Sequence, residues 1–123
     1  MKEYMLLIRN ETDAKKSLGT EEHLTFIRDC ETYIGKIGDR LIAAQPLHRE
    51  GVVISKKDGE WKEKALEPDK EIQVGYYHIL AKDIKEAVNI AKDNPEFKYV
   101  ASATIEVREI KTKEEKTSFV YPK

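Results

Sequence analysis

The sequence has almost none of the features that mark a crosslinked, secreted or membrane-bound protein. Cys30 is the single cysteine among 123 residues, so an internal disulfide is impossible. The first apolar run, residues 4–8, is shorter than the ~7 residues of a signal-peptide core and far shorter than the ~20 of a membrane span. We therefore expect a cytoplasmic protein that contacts no membrane.

The sequence also has no excess of charge of either sign. It contains 22 lysines and arginines and 23 aspartates and glutamates, which give a net charge of −1. Nucleic-acid-binding proteins show a basic excess, so this balance argues against that class. Charged residues make up 37% of the chain, above the usual ~25%. Length and composition together indicate one small globular domain with a well-solvated surface.

Spacings typical of metal and phosphate sites are missing. The three histidines, His23, His48 and His78, lie far apart, with no His-x-x-x-His or Cys-x-x-Cys pattern. The glycine pair Gly35 and Gly38 falls at the end of a predicted helix rather than after a strand, so it is not a phosphate-binding loop. We predict neither a metal ion nor a cofactor.

Hydrophobic periodicity and capping residues predict four strands and two helices. The first helix begins at the N-cap Thr20 and stops at Gly38, and the second opens with the capping box of Asp83 and Glu86 and ends before Pro95. A polar stretch at 10–19 is predicted to be a loop. The predicted strands are 4–9, 41–44, 72–80 and 104–109.

A β-hairpin is predicted between the second and third of these strands. The turn signal Asp58-Gly59 separates the β-prone segments 52–55 and 61–65. The resulting order, with right-handed crossovers, predicts an α+β, ferredoxin-like βαββαβ domain that carries an inserted hairpin and has both helices on one sheet face.

The first strand and the 72–80 strand carry bulky groups on both faces, so we expect both faces of the sheet to be covered. A homodimer with its sheets packed face to face provides such a cover. The alternative is that the hairpin or the C-terminal tail covers the second face.

Several segments resemble the YCII-related family, which is grouped with DGPF-domain proteins. The resemblance covers roughly residues 3–110 and rests on YMLLIR, EEHLTFIRDC, LIAAQPL followed by DGEW, and GYYHILAKDIKEAVNIAKDNPEF. It implies a domain at 1–110 with a charged tail at 111–123, a dimeric α+β barrel, and a pocket around a histidine and the residue before a proline. A His–Asp pair has been proposed as catalytic in the family. This chain has LEPDKE in place of the Asp-Gly-Pro-Phe signature, and Asn94 where relatives often have Asp.

His23 and Asn94 are the predicted catalytic residues. Extending the apolar stripe of the first helix back by four residues places His23 on the buried face, and histidine exchanges protons near neutral pH. Asn94 is expected to orient His23 across the pocket, although an amide lacks the charge that supports an imidazolium. Alternatively, His23 packs against or caps its helix, and Asn94 simply ends the second helix. The stripe itself comprises Ile27, Cys30, Ile34 and Ile37.

Four further residues are predicted to bind a ligand. Arg9, at the end of the first strand, is suited to a carboxylate, and Tyr76 and His78 share one face of the third strand. Gln45, at the end of the second strand, completes the set. The alternatives are a surface salt bridge for Arg9 and packing in a dimer interface for the aromatic residues.

Two functions stay open from the sequence. One is a cofactor-free enzyme that uses a pocket histidine, His23, as acid or base on a small aromatic or carboxylated molecule. The other is a non-catalytic module that binds a small molecule or a protein. The missing Asp-Gly-Pro-Phe signature and Asn94 favour the module, whereas the position of His23 favours the enzyme.

Overall fold

The chain folds into an α+β domain built around a mainly antiparallel sheet, as the periodicity predicted. The computed structural model describes residues 1–11 and 18–123, so most of the loop predicted at 10–19 lies outside the described residues. Its strands are β1 (Lys2–Asn10), β2 (Leu41–Pro46), β3 (Val52–Lys57), β4 (Glu60–Ala65), β5 (Ile72–Ala81) and β6 (Thr104–Glu109). Its helices are α1 (Thr20–Ile37), α2 (Ile84–Lys92) and α3 (Glu96–Tyr99), with a single 3₁₀ turn at Gly38–Arg40.

Four strands form one sheet in the order β2-β5-β1-β6, and every neighbouring pair is antiparallel. The two longest strands, β1 and β5, lie in the middle of this sheet. Burial along β1 alternates: Tyr4, Leu6 and Ile8 are buried, and the side chains between them are only half-buried. The prediction that this strand is buried on both faces is therefore wrong for the single chain.

The hydrophobic core lies between one face of this sheet and the two longer helices. Tyr33 of α1 packs edge-on against Tyr77 of β5, with 5.3 Å between ring centroids. The Tyr33 hydroxyl also donates to the Ile90 carbonyl of α2 at 2.8 Å, which ties the helices together. The core comprises Tyr4, Leu6, Ile8, Tyr33, Ile37, Tyr77, Ile79, Ala81, Ala87 and Ala91. We call the opposite side of the sheet the helix-free face.

The helix-free face is defined by the side chains that alternate with the core residues. They are Glu3, Met5, Leu7 and Arg9 of β1, Gln73, Tyr76, His78 and Leu80 of β5, Ala43 and Gln45 of β2, and Thr104, Glu106 and Arg108 of β6. The ladder between β1 and β5 is irregular after Ile8, so Arg9 pairs with Gln73 rather than with Val74.

Helix α1 differs from its prediction in its cap and in its buried face. Gly19, not Thr20, is the N-cap, and no side chain caps the helix. Gly38, with φ 59°, ends α1 as predicted, in a conformation that glycine adopts without strain. The predicted stripe is wrong at two positions, because Ile27 and Ile34 are exposed. Phe26 and Tyr33 face inward in their place, since aromatic side chains bury more apolar surface. The other two members of the predicted stripe, Cys30 and Ile37, do face inward.

The predicted hairpin is present but stands apart from the rest of the domain. Asp58 and Gly59 have φ values of 51° and 80°, the left-handed conformations that a two-residue turn of this kind requires. Strands β3 and β4 form a separate two-stranded sheet, and every residue in them is exposed. We call residues 52–65 the hairpin arm. The arm does not cover the helix-free face of its own chain, so the hairpin is excluded as the cover of that face.

Helix α2 begins at the predicted N-cap, Asp83, but only half of the predicted capping box forms. The Asp83 carboxylate accepts a hydrogen bond from the Glu86 backbone N–H at 2.9 Å, which satisfies one free donor of the first turn. The Glu86 carboxylate accepts from the Lys82 N–H and pairs with Arg40 instead of closing the capping box on Asp83. A one-turn helix, α3, follows Pro95 and was not predicted.

The C-terminal residues turn back towards the start of β1. The Ile110 N–H donates to the Glu3 carbonyl at 2.8 Å, and Lys113 and Val120 form an isolated antiparallel bridge. The Lys123 ammonium group forms an ion pair with the Glu3 carboxylate. The tail therefore borders one end of the helix-free face.

Candidate functional site

His23 lies on the surface, in the first turn of α1. Its side chain is exposed, not buried as the stripe predicted, because the inward face of α1 is turned towards Phe26 and Tyr33. Its backbone N–H donates to the Gly19 carbonyl, and its imidazole has no hydrogen bond or ion pair to any described residue. Ten residues separate His23 from Tyr33, which is about 15 Å along the helix axis.

Asn94 lies at the other end of the helical layer and is 4% exposed. Its side-chain oxygen accepts from the Glu96 N–H at 2.8 Å and so shapes the turn into α3. Its Nδ2 has no hydrogen-bond partner among the described residues. Burial raises the pKa of Tyr33 well above its usual range, and the neighbouring Asn94 amide acts weakly in the opposite direction. Asn94 is thus a neighbour of Tyr33, and the structure does not bring it together with His23.

An open groove of about 450 Å³ runs past Asn94, between α1 and the junction of α2 with α3. Its walls include Asp29, which accepts hydrogen bonds from the Tyr99 hydroxyl at 2.7 Å and the Lys98 ammonium at 3.3 Å. These contacts, chiefly the one from Tyr99, lower the pKa of Asp29. His23 does not line this groove, so the groove has no histidine to act as a base.

The four predicted ligand-binding residues all lie on the helix-free face. Gln45 of β2 pairs directly with Tyr76 of β5, and His78 is the next residue on the same face. Arg9 lies on the neighbouring strand β1, two residues after Leu7, which is the direct partner of Tyr76. Side chains on one face of a strand repeat every ~7 Å, which is the spacing of His78 and Tyr76 on β5. Arg9 continues this row on β1, opposite Gln73. The structure therefore brings together residues whose proximity the sequence did not show.

At one end of this row, His78 contacts Glu3. The distance from His78 Nε2 to Glu3 Oε1 is 2.9 Å, and the two side chains are 20% and 10% exposed. Hydrogen bonding from Lys123 and, to a smaller extent, from His78 lowers the pKa of Glu3, so the carboxylate is ionised at neutral pH. An ionised carboxylate that accepts from Nε2–H fixes the ring orientation and leaves Nδ1 as the basic nitrogen. This arrangement suits a general base.

Glu3 was missed from the sequence. Nothing in its local sequence distinguishes it from the other surface glutamates. The signal lies in the pairing of β1 with β5. Met5 is the direct partner of His78, so Glu3, two residues before Met5, lies diagonally across from His78. Only the register of these two strands identifies the contact.

At the other end of the row, Arg9 lies beside a more apolar hollow. The Arg9 Nε is 3.6 Å from the Glu71 carboxylate, and Nη2 donates weakly to the Glu71 carbonyl. The hollow measures about 640 Å³, and its lining residues are Arg9, Leu47, His48, Glu50, Leu66, Glu71, Ile72 and Gln73. A guanidinium group beside an apolar hollow is suited to a carboxylate attached to an apolar body.

Comparison with known proteins adds no family to this description. No protein-family model matches the chain, and no curated protein matches it either. Within residues 1–11 and 18–123, no three histidine, cysteine or acidic side chains are grouped so as to hold a metal ion. In the same part of the chain, no helix has both the length and the apolar character needed to cross a membrane.

Proposed function

We propose that the protein is a homodimeric, ferredoxin-like domain of the YCII-related type that binds a small aromatic or carboxylated molecule on its helix-free face. His78 acts there as acid or base without a cofactor, and Glu3 orients it. The observation that carries this proposal is the 2.9 Å contact between His78 and Glu3 in line with Tyr76 and Arg9. His78 thereby takes the role that the sequence assigned to His23.

The strand order supports the ferredoxin-like assignment. In a βαββαβ domain each helix connects two strands that flank a third, and all neighbouring strands are antiparallel. Here α1 connects β1 to β2 on either side of β5, and α2 connects β5 to β6 on either side of β1. The hairpin arm interrupts only the connection from β2 to β5.

The chemistry of the row supports the ligand class. A phenol ring such as that of Tyr76 stacks on a planar ligand, and Gln45 beside it supplies a donor and an acceptor. Arg9 already pairs with the Glu71 carboxylate, so a ligand has to displace Glu71 in order to bind Arg9. A ligand that carries a full negative charge does this best. His78 then faces the part of the ligand away from the carboxylate.

The dimer is supported by the apolar residues in the middle of the helix-free face. Met5, Leu7 and Leu80 are half-buried in the single chain and have no helix above them. A second copy that packs its own helix-free face nearby removes this apolar surface from water. A non-catalytic binding module is the second candidate, favoured because neither His23 nor Asn94 has the partner that base catalysis needs.

A thermal-shift screen tests the proposal. Small aromatic and carboxylic compounds are compared on the wild type, His78→Gln and His23→Gln, because a ligand of the native state raises its melting temperature. Gln at position 78 keeps a donor for Glu3, so this variant is expected to fold. We expect compounds that stabilise the wild type and His23→Gln but not His78→Gln. Compounds that depend on His23 instead would contradict the proposed site.

A further inference from the structure

The hairpin arm is amphipathic. In its register Val52 pairs with Ala65, Ile54 with Glu63 and Lys56 with Trp61, and these pairs share one face. The opposite face is mainly polar, with Ser55, Lys57, Glu60, Lys62 and Lys64 around Val53. Trp61 is 67% exposed and is contacted by the Lys56 ammonium group, 5.2 Å from its ring centroid. The arm therefore presents an apolar face that its own chain leaves in water.

The arm is held firmly where it joins the domain. Arg49, before the arm, donates from Nε to the Pro68 carbonyl at 2.9 Å, after the arm. The same guanidinium group donates to Asn10 Oδ1 at the end of β1, and Asn10 in turn donates to the buried Glu96 at 3.1 Å. An isolated two-stranded hairpin is marginally stable in water. A fixed base combined with an uncovered apolar face is typical of a segment that packs against another chain.

We propose that two copies exchange these arms. The apolar face of each arm packs on the helix-free face of the other copy, and Trp61 closes the ligand site over Tyr76 and His78. This inference rests on the dimer of the proposed function and adds that the site is incomplete in one chain.

The size of the arm agrees with reciprocal exchange. An arm face of this size presents on the order of 400 Å², so two such contacts, counted on both copies, remove about 1,600 Å² from water, the size of a standard stable interface. The charges agree as well. Lys56 and Glu63 lie on the apolar face of the arm, and Glu3, Arg9, Glu106 and Arg108 lie on the helix-free face, so each surface offers charges of both signs.

A matched pair of variants tests the exchange by sedimentation equilibrium. Ile54→Lys and Val53→Lys place the same charge at neighbouring residues on opposite faces of the arm. Both positions are exposed in the single chain, at 63% and 53%, so neither change disturbs the domain core. We expect Ile54→Lys to raise the dimer dissociation constant at least tenfold and Val53→Lys to leave it within twofold.

Fluorescence of the unmodified protein gives a second readout, because Trp61 is the only tryptophan. We expect Trp61 to be shielded from acrylamide quenching at concentrations where the dimer forms and to become accessible on dilution. A dimer in which Trp61 stays fully accessible, or in which both lysine variants behave alike, would overturn arm exchange while leaving the proposed site intact. A chain that is monomeric at every concentration would overturn the exchange and the dimer together, and the thermal-shift screen would still test the site separately.

Discussion

His78 and Glu3 lie diagonally across strands β5 and β1, with 2.9 Å between the imidazole Nε2 and the carboxylate Oε1. The carboxylate also pairs with Lys123, so three charged or chargeable groups meet at one end of the helix-free face. This contact connects the fold to the proposed chemistry, because the pairing of the two central strands is what creates it.

Glu3→Gln is expected to change the acid stability of the protein. Hydrogen bonds from Lys123 and His78 lower the pKa of Glu3 below its usual 4.5, so its ionised form stabilises the folded state. That contribution is complete above pH 4.5 and disappears as the pH falls through the lowered value. We expect the wild type to melt higher than Glu3→Gln at neutral pH, and the difference to vanish in acid. A difference independent of pH would show that the contact with Lys123 and His78 does not depend on the charge of Glu3.

Asp83→Ala is expected to destabilise the protein by about 1 kcal/mol, because it removes the side chain that caps α2. Thr20→Ala is the matched control. The sequence predicts Thr20 as the cap of α1, but Gly19 holds that position and no side chain caps the helix. Urea denaturation should therefore show a clear loss for Asp83→Ala and a change within about 0.5 kcal/mol for Thr20→Ala. Equal losses of stability in the two variants would show that Thr20 caps α1, as the sequence indicated.

The elements predicted correctly are those fixed by local chemistry. The Asp58-Gly59 turn needs left-handed residues, and Asp83 has a backbone N–H within reach three residues later, so both can be recognised in the sequence. The alternation of β6 was likewise sufficient to place Thr104–Glu109 as a strand. No tertiary contact is required for any of these assignments.

The features that were missed depend on contacts between distant segments. The inward face of α1 follows from the contacts of Tyr33 with Tyr77 and of Phe26 with Tyr99, and these contacts turn His23 to the surface. The contact between Glu3 and His78 spans 75 residues of sequence. The hairpin arm has a readable sequence, but its separation from the domain appears only in the tertiary structure.

Tyr77→Phe is expected to improve stability in alkali relative to the wild type. Burial raises the pKa of Tyr77 to about 12, above its usual value of 10. The folded state therefore favours the neutral phenol, and the wild type loses stability between pH 10 and about 12 as the unfolded chain ionises first. Denaturant titrations at several alkaline pH values should show a smaller loss for Tyr77→Phe. Identical losses in the two proteins would contradict the burial of this hydroxyl.

Asn94→Asp is expected to destabilise the protein without creating a catalytic pair. The new carboxylate keeps an acceptor for the Glu96 N–H but places a charged group at a position that is only 4% exposed, at a cost of roughly 1–3 kcal/mol. Circular dichroism melting measures the loss, with Asn89→Asp on the exposed part of α2 as control. If the Asn94→Asp protein gained a ligand response that depends on His23, the expectation would be contradicted. The pair of residues 23 and 94 that the sequence suggested would then be the functional one.

The most direct test of the central claim is a titration of the isotopically labelled protein with benzoate, followed by the backbone amide signals in NMR spectra. Benzoate is the simplest probe that is both aromatic and carboxylated. If the helix-free face is the site, saturable shifts should concentrate at Arg9, Gln45, Tyr76 and His78 and be lost in His78→Gln. Shifts concentrated around Asn94 and Lys36, in the groove beside α1, would show that the ligand site lies on the opposite side of the sheet and would contradict the proposal.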